Sequence, residues 1–347
     1  MANEDGLRRA LQCIFPRPLP WLESPVRSGD GHLIGLSEWR ETHISIVILS
    51  RHSAHKLRKP VNLGFLDYSS RQRRRRHAAS ELAIGRRISP HVYRGVVFMR
   101  RRGAQWELSD EPPGEPLVEM TRLRDELRLD RLCDSKSVRP AALRRLAKQL
   151  ALFHAQSPCD RRRDGWGALR RVRDAWEVNF TQMPADDRTV PLRSKERALL
   201  VSQTSDWLER ARPTLACRVD EGRVREGHGD LRAEHVYLSN RLTIIDPLEF
   251  DRSLRWSDVA AEVAFVAMEL DAAACAETGN RLLAEYANVT RDESLPDVVP
   301  FFKRYRAVVR AKVEWIRSRQ AKGALASEHR ARSRRLFDLA LSYSLEA

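Results

Sequence analysis

Two aspartates and a histidine in one short stretch are the strongest sign of chemistry in this 347-residue chain. His228-Gly-Asp230 precedes one short apolar run, and Asp246 ends the next. The two runs flank a polar turn at residues 239–241 and predict a hairpin, so we expect Asp230 and Asp246 to lie close together. Neighbouring carboxylates repel each other unless a cation neutralises them or one holds a proton. The pattern therefore favours a Mg²⁺ site that handles phosphate groups.

This stretch resembles the catalytic loop and metal-binding aspartate of the aminoglycoside phosphotransferase and choline kinase family, which has a protein-kinase-like fold. The resemblance is carried by Gly227-His-Gly-Asp-Leu231, Ile245-Asp-Pro-Leu-Glu-Phe250 and the segment 254–265. These segments resemble an uncharacterised bacterial branch whose members are sometimes fused to a C-terminal P-loop ATPase domain. The resemblance extends from about residue 36 to residue 320, and the sequence contains no GxxxxGK[ST] motif of a P-loop.

The resemblance implies an ATP-dependent phosphotransferase that moves the γ-phosphoryl group to a hydroxyl of a small molecule. Asp230 would be the catalytic base, and His228 would pack and hydrogen-bond to hold its loop. Asp246 would bind the Mg²⁺ that bridges the phosphates of ATP. Asp258 would fasten the loop through backbone amides from the helix below.

His235 departs from the family pattern, which has Asn five residues after the catalytic aspartate. Mg²⁺ prefers oxygen ligands, whereas imidazole nitrogen suits Mn²⁺ or Zn²⁺ better. Three roles stay open for His235: a ligand to a softer ion, a hydrogen bond to Asp230, or a sign of lost catalysis. Glu249 or Asp251 could supply the missing oxygen, because both follow Asp246 closely. We favour retained phosphoryl transfer with an altered metal preference, Mn²⁺ being the alternative to Mg²⁺.

The elements that must position a nucleotide are predicted in the N-terminal part of the chain. Runs of β-branched residues and turn residues predict strands, and apolar residues at helical spacing predict one long helix. The predicted segments are strands at 44–49, 54–59, 93–100 and 106–120, the last one interrupted by a turn at 111–114, and a helix at 70–88.

The resemblance implies a lysine that binds the α- and β-phosphates on the strand before this helix. Lys56 and Lys59 compete for the role, and strand alternation places them on opposite faces. The resemblance favours Lys56, which would then pair with Glu81 on the inward stripe of the helix. Glu119 and Met120 lie where the hinge between lobes should offer backbone groups to adenine.

The predicted fold class is α+β, in the form of a bilobal protein-kinase-like fold. A small β-rich N-terminal lobe would carry one main helix, and the larger C-terminal lobe would be mostly helical. We expect an irregular lead-in over 1–32, a nucleotide-binding lobe over 33–120, and a helical lobe with the catalytic loop over 121–347.

Composition limits the cellular setting and the partners. Sixty-two Lys and Arg against 47 Asp and Glu give a net charge of +15, which leaves a nucleic-acid partner open, but no nucleic-acid-binding motif accompanies it. Five scattered cysteines and the lack of a signal-like N-terminus predict a cytoplasmic protein. The most apolar segment, 259–276, carries three acidic residues, so no membrane partner is expected.

The small-molecule hydroxyl acceptor would be gripped by the helical lobe, at residues 301–320. Lys303, Arg306 and Arg310 form a basic stripe there, which either holds an anionic acceptor or is solvated helix surface; we favour solvated surface. Aminoglycosides are polycations that need an acidic pocket, and the net positive charge of this chain gives no sign of such a pocket. The rival to an enzyme is a pseudokinase, a nucleotide-binding module that regulates a protein or RNA partner.

The departure at position 235 gives a test. We expect His235→Asn to raise Mg²⁺-supported turnover, because the amide oxygen is a harder ligand than the imidazole nitrogen. Turnover of the two proteins at saturating ATP and Mg²⁺ measures this. Unchanged or lower activity in the variant would count against an altered metal preference.

Overall fold

The computed structural model describes residues 26–27, 33–34, 38–42, 44–64, 66–102 and 105–345. Across these residues the chain divides into two compact units. The first contains the residues up to Asp125 together with Thr243–Arg252, and the second contains Glu126–Leu242 and the residues from Ser253 onward. This differs from the predicted division at residue 120, because the segment 243–252, which carries Asp246, belongs to the first unit. Apart from Val26–Arg27, the predicted lead-in lies outside the described residues.

The first unit is built on a β-sheet. Its strands are β1 (Val26–Arg27), β2 (Leu33–Ile34), β3 (Glu38–Glu41), β4 (Ser45–Leu49), β5 (Ser53–Arg58), β6 (Tyr93–Arg102), β7 (Gln105–Ser109) and β8 (Glu115–Thr121). Within the described ranges these eight strands follow the order β2-β1-β7-β6-β8-β5-β4-β3. Neighbours are antiparallel except β1 and β7. The strand β5, which carries Lys56, is thus paired on both sides.

One helix, α1 (Arg71–Ile88), packs against this sheet. It begins at Arg71, one residue after its predicted start, because the Ser70 hydroxyl accepts the Arg73 N–H at 3.2 Å and caps the helix. Gly85 allows the close approach, since a Cβ there would lie 2.4 Å from the Tyr93 ring. The helix buries Glu81 together with Ala78, Ile84 and Ile88. A carboxylate is therefore brought into the interior of the first unit.

The second unit is mostly helical. Its helices are α2 (Leu129–Asp134), α3 (Pro140–Gln156), α4 (Leu169–Thr181), α5 (Ser194–Arg210), α6 (Arg212–Asp220), α7 (Val259–Ala272), α8 (Ala276–Thr290), α9 (Leu295–Gln320) and α10 (Gly323–Ser342). The short strands that follow β8 are β9 (Val224–Glu226), β10 (Val236–Tyr237), β11 (Thr243–Ile244), which falls in the first unit, and β12 (Trp256–Asp258). β9 and β12 pair antiparallel within the second unit.

The core of the second unit forms around α7 and α9. Aromatic and aliphatic side chains of α4, α5, α7, α9 and α10 pack there, including Trp176, Phe265, Trp315 and Phe337. The helix α7 is buried on nearly all sides and is the most apolar helix of the unit. None of the helices in the described part of the chain is both long and apolar enough to span a membrane.

Candidate functional site

Lys56 lies in the interior of the first unit between two carboxylates. Its Nζ is 3.0 Å from Glu81 Oε2 and also forms an ion pair with Asp246. Lys59, the other candidate lysine, pairs instead with Glu41 near the surface. The structure therefore places Lys56, Glu81 and Asp246 together and leaves Lys59 outside this group.

In this group, burial and the ion-pair partners act in opposite directions on the pKa of Lys56 and on the pKa of Glu81. Burial opposes the charged form of Lys56, but Asp246 and Glu81 raise its pKa well above the ordinary value. Burial also raises the pKa of Glu81, against the opposing effect of Lys56 and Arg58. A lysine held charged in the interior is suited to binding an anionic group such as a phosphate.

Arg58 is a second buried cation, which the sequence interpretation missed. It lies two residues after Lys56, on the same face of β5, and its side chain is 1% exposed. It contacts Glu81 and donates from Nε to Glu249 Oε1 at 3.1 Å. The Tyr68 hydroxyl also donates to that oxygen. Two acidic residues that are far apart in sequence are thus joined through one guanidinium.

Glu249 is consequently unsuited to the metal role that the sequence suggested. Burial opposes its ionisation, yet Arg58 and Lys56 hold its pKa below the ordinary value. Its side chain is 6% exposed and is engaged by Arg58 and Tyr68. An ion pair in the interior of the first unit, rather than a metal ligand, is the observed environment of this residue.

Asp246 lies on a turn that several side chains of the first unit fix. Its backbone φ is 65°, in the left-handed region, which Asp tolerates better than most residues but at some cost in strain. Tyr93 Oη accepts its backbone N–H at 2.8 Å, and Ser89 Oγ accepts the N–H of Ile244 at 2.8 Å. With the side-chain pair Arg58–Glu249, these bonds attach the segment 243–252 to the sheet and α1.

The donor chemistry at Asp246 fits a hard divalent cation. Its side chain is 44% exposed, in contrast to the buried Glu81 and Glu249, and carboxylate oxygen is the ligand that Mg²⁺ prefers. Over the residues that the structure describes, no group of three or more His, Cys, Asp or Glu side chains is arranged to hold a metal ion. Asp246 would therefore act with ligands that come from outside such a group, such as phosphate oxygens and water.

Glu119 and Met120 do not have the environment predicted for an adenine-binding hinge. Both lie within β8, which is paired with β5 on one side and β6 on the other. The pairing continues through Thr121, so their backbone groups belong to the sheet. Met120 is buried in the apolar core, and Glu119 Oε1 lies 3.5 Å from Arg94 Nη1. The strand ends at Thr121, one residue beyond its predicted end, and both residues lie inside it.

The loop that carries Asp230 lies in the second unit, and two histidines of the same stretch form hydrogen bonds with the backbone of Asp230. His228 is fully buried, and its Nδ1 accepts the backbone N–H of Asp230 at 3.3 Å. Gly229 adopts a φ of 85°, which favours glycine. No hydrogen bond or ion pair to the Asp230 carboxylate occurs among the described residues.

His235 supports the same loop from the other side. Its Nδ1 lies 2.9 Å from the backbone oxygen of Asp230, and its ring centroid lies 6.0 Å from that of His228. A neutral imidazole with the proton on Nδ1 makes this bond as donor. Of the three roles left open for His235, the structure shows the hydrogen bond to Asp230. The bond is made to the backbone oxygen of Asp230 and not to its carboxylate.

Glu262 of α7, rather than Asp258, fastens the loop that carries Asp230. Its Oε1 accepts the N–H of Gly229 at 2.6 Å, and its Oε2 lies 2.9 Å from His154 Nε2. A Cβ at position 227 would come within 2.5 Å of this carboxylate, which requires glycine there. The predicted contact thus exists, but it is made by a buried glutamate one turn further along the helix.

Asp258 has a different structural role. It caps α7 by accepting the N–H of Ala260 at 2.8 Å, and it forms a bidentate ion pair with Arg218 at 2.7 and 2.8 Å. Arg218 is fully buried and also bonds Asp292 at 2.6 Å. Asp258 therefore supports the start of α7 and does not contact the loop amides as predicted.

The basic stripe on α9 is not solvated surface. Lys303 Nζ lies 2.9 Å from Asp271, and Arg306 stacks over the Phe265 ring at 4.6 Å. Both residues are buried, because α9 passes through the core of the unit. Arg310 is the third member of the stripe, and its side chain is 14% exposed.

Comparisons with known proteins bear on the family and the fold of the chain. A model of the phosphotransferase enzyme family matches residues 63–298. Uncharacterised proteins of Mycobacterium tuberculosis strain H37Rv and of Mycobacterium bovis are each 31% identical to the chain over 317 residues. These matches cover 88% of this chain and 61% of each relative, so the chain spans about three fifths of the length of the curated relatives it matches.

Among the solved structures that the chain resembles, one with a TM-score of 0.50 shows the fold. A choline/ethanolamine kinase family protein from Mesorhizobium loti covers 98% of this chain and 98% of its own, with 13% identity and a TM-score of 0.50. The GDP complex of wild-type aminoglycoside 2'-phosphotransferase-IIIa covers 95% of this chain and 99% of its own, with 16% identity and a TM-score of 0.49. The predicted α+β fold class of the kinase-like type is confirmed.

The buried Glu262 gives a prediction for stability. Burial opposes its ionisation, but the hydrogen bond from His154 and the Gly229 N–H lower its pKa below the ordinary value of 4.5. A lowered pKa in the folded protein adds stability above pH 4.5, and this contribution is lost as the pH falls through the folded pKa. We expect Glu262→Gln to lower the free energy of unfolding at neutral pH by about 1–3 kcal/mol.

Urea unfolding between neutral and acidic pH measures this effect. The difference between wild type and Glu262→Gln should shrink on acidification. Glu277→Gln, at an exposed position of α8, is the matched control and should follow wild type throughout. A pH-independent difference would show that the Glu262 charge does not stabilise the loop.

Proposed function

The chain belongs to the phosphotransferase enzyme family, and we propose that it is a kinase that transfers the γ-phosphoryl group of ATP to a hydroxyl of a small molecule. The observation that supports this most is the group formed by Lys56, Glu81 and Asp246. A charged lysine is held in the interior, and one of its two carboxylate partners is exposed on a strained turn. Such a group has the residue types that a nucleoside triphosphate with its cation requires.

In this proposal the first unit binds the nucleotide. Lys56 binds the α- and β-phosphates, and Glu81 holds the lysine side chain in place from α1. Arg58 keeps Glu81 and Glu249 neutralised without reaching the surface. Asp246 would hold Mg²⁺, or Mn²⁺, and the ion when bound would neutralise charge on the phosphate oxygens.

The second unit supplies the base. The substrate oxygen attacks the γ-phosphorus while its proton passes to the Asp230 carboxylate, and the bond from phosphorus to the β,γ-bridging oxygen breaks to leave ADP. Asp230 is suited to this because its carboxylate has no hydrogen bond to the described residues. His228, His235 and Glu262 hold the loop and do not touch the reacting atoms in this mechanism.

A catalytically impaired, nucleotide-binding pseudokinase is the second candidate. The observation that favours it is His235 at the position of the family's metal-binding Asn. Its hydrogen bond to the Asp230 backbone does not decide between the two, because an Asn side chain could also donate there. Catalysis is the discriminating property.

Acceptor-free ATP hydrolysis tests the proposal. We expect the purified chain to hydrolyse ATP slowly with Mg²⁺ or Mn²⁺, because water replaces the acceptor. Asp230→Asn should lower this rate by about a hundredfold or more, since general-base catalysis contributes about 10²–10⁴-fold. ADP release in a coupled assay, together with ATP binding measured by calorimetry, gives both quantities.

Asp220→Asn is the matched control, since it makes the same change at an exposed aspartate that pairs with Arg163 in the same unit. It should retain the wild-type rate. ATP binding without hydrolysis under either metal would favour the pseudokinase. Hydrolysis that survives in Asp230→Asn would remove Asp230 from the mechanism.

A further inference from the structure

Arg310 of α9 has an unusual environment for an arginine of such low exposure. Its side chain is 14% exposed, and its two ion pairs are long, 3.5 Å from Nε to Glu269 Oε1 and 3.6 Å from Nη2 to Glu314 Oε1. Charge-assisted hydrogen bonds are usually 2.7–2.9 Å. None of its N–H groups makes a hydrogen bond to the residues that the structure describes. A guanidinium has five such donors, so the binding capacity of this side chain is unused.

Both glutamates near Arg310 have better partners. Glu269 accepts from Arg232 Nε at 2.8 Å and from the Ala233 N–H at 2.9 Å. Glu314 accepts from Arg317 Nη1 at 2.9 Å and lies 2.6 Å from His329 Nδ1. Removing Arg310 would therefore leave neither carboxylate without a hydrogen bond. Arg310 is the arginine of this cluster with the longest ion pairs.

The cluster adjoins the proposed catalytic base. Arg232 follows Asp230 by two residues, and the Nε atoms of Arg232 and Arg310 share the same oxygen of Glu269. The electrostatics agree: burial and the neighbouring Arg232 lower the pKa of Arg310, while Glu269 and Asp230 act in the opposite direction. The unused donors of Arg310 are thus within electrostatic range of the carboxylate that would receive the substrate proton.

We propose that Arg310 binds an oxyanion of the acceptor, a carboxylate or phosphate group, on the same molecule whose hydroxyl is presented to Asp230. This inference rests on the proposed function and names the substrate class. A planar guanidinium fork matches either oxyanion with two parallel hydrogen bonds. Its N–H groups are donors only and offer no acceptor to a cationic group. The acceptor is therefore a hydroxylated acid or a phosphorylated alcohol.

Two small anions test the site without knowledge of the acceptor. Inorganic phosphate and acetate, each titrated into the full chain at low salt, represent the two possible groups, and NMR line broadening of the anion reports weak binding. We expect wild type to bind at least one of them and Arg310→Gln to weaken that binding at least tenfold, because hydrogen bonds to charged groups are worth about 1.5–3 kcal/mol. Binding of phosphate alone would identify a phosphorylated acceptor, and binding of acetate alone a carboxylic acid.

Arg319→Gln is the matched control, since it removes another arginine of α9, one that pairs with Asp187 rather than with a glutamate of this cluster. It should bind the anions as wild type does. Arg310→Lys keeps the charge but loses the planar guanidinium, and it should bind the anions with intermediate affinity. If the Gln variant does not fold, the Lys variant is compared with wild type instead. Absence of binding of both anions to wild type, or equal binding by wild type and the Arg310 variants, overturns the proposal.

The outcome is separable from that of the proposed function. Anion binding that depends on Arg310, in a chain that never hydrolyses ATP, would support the oxyanion site and remove the kinase. Hydrolysis that depends on Asp230, with no anion binding at Arg310, would support the kinase and overturn the oxyanion site.

Discussion

The buried ion pairs of the first unit are the constraint on which the proposed nucleotide site depends. Lys56 and Arg58 project from one face of β5 and meet Glu81 from α1, while Glu249 reaches Arg58 from the segment 243–252. Breaking one member of such a set leaves an uncompensated charge in the interior and costs about 3–5 kcal/mol. The position of Asp246 follows from this network, because the turn that carries it is attached on both sides.

The second unit uses buried charge in a similar way. Glu262 is a carboxylate within the most apolar helix, and its two oxygens form hydrogen bonds with the Gly229 N–H and with His154. Its position requires a glycine at 227, where any side chain would collide with it. The backbone at Gly229 is thus held by one charged side chain, and the close approach of Glu262 to residue 227 depends on the absence of a side chain there.

The sequence pattern was sufficient for the elements and for the residues with a recognisable motif. The helix over Arg71–Ile88, the strands before it and the inward carboxylate of Glu81 follow from periodicity, which local structure obeys. Partners across long sequence separations could not be predicted in this way. Arg58 and Glu249 are 191 positions apart, and alternation along β5 placed Arg58 on the face of Lys56 without indicating what it meets.

The remaining differences have similar physical causes. Glu262 interrupts an apolar segment of the sequence, and this pattern could have indicated a buried carboxylate that needs hydrogen-bond partners. Its neighbour Asp258 was assigned the loop contact because motif spacing does not reveal which side chain turns inward. Glu119 and Met120 were assigned to a hinge because they lie at the end of the predicted strand, and the sequence does not show that this end is paired on both sides.

The affinity for ATP of two lysine variants tests the central claim most directly. Lys56 and Lys59 are three residues apart, and one lies among the buried carboxylates while the other pairs with Glu41. The account predicts that Lys56→Met, folded by circular dichroism, binds ATP at least about tenfold more weakly than wild type, whereas Lys59→Met binds it equally well. Equal ATP affinity of wild type and a folded Lys56→Met protein would contradict the account.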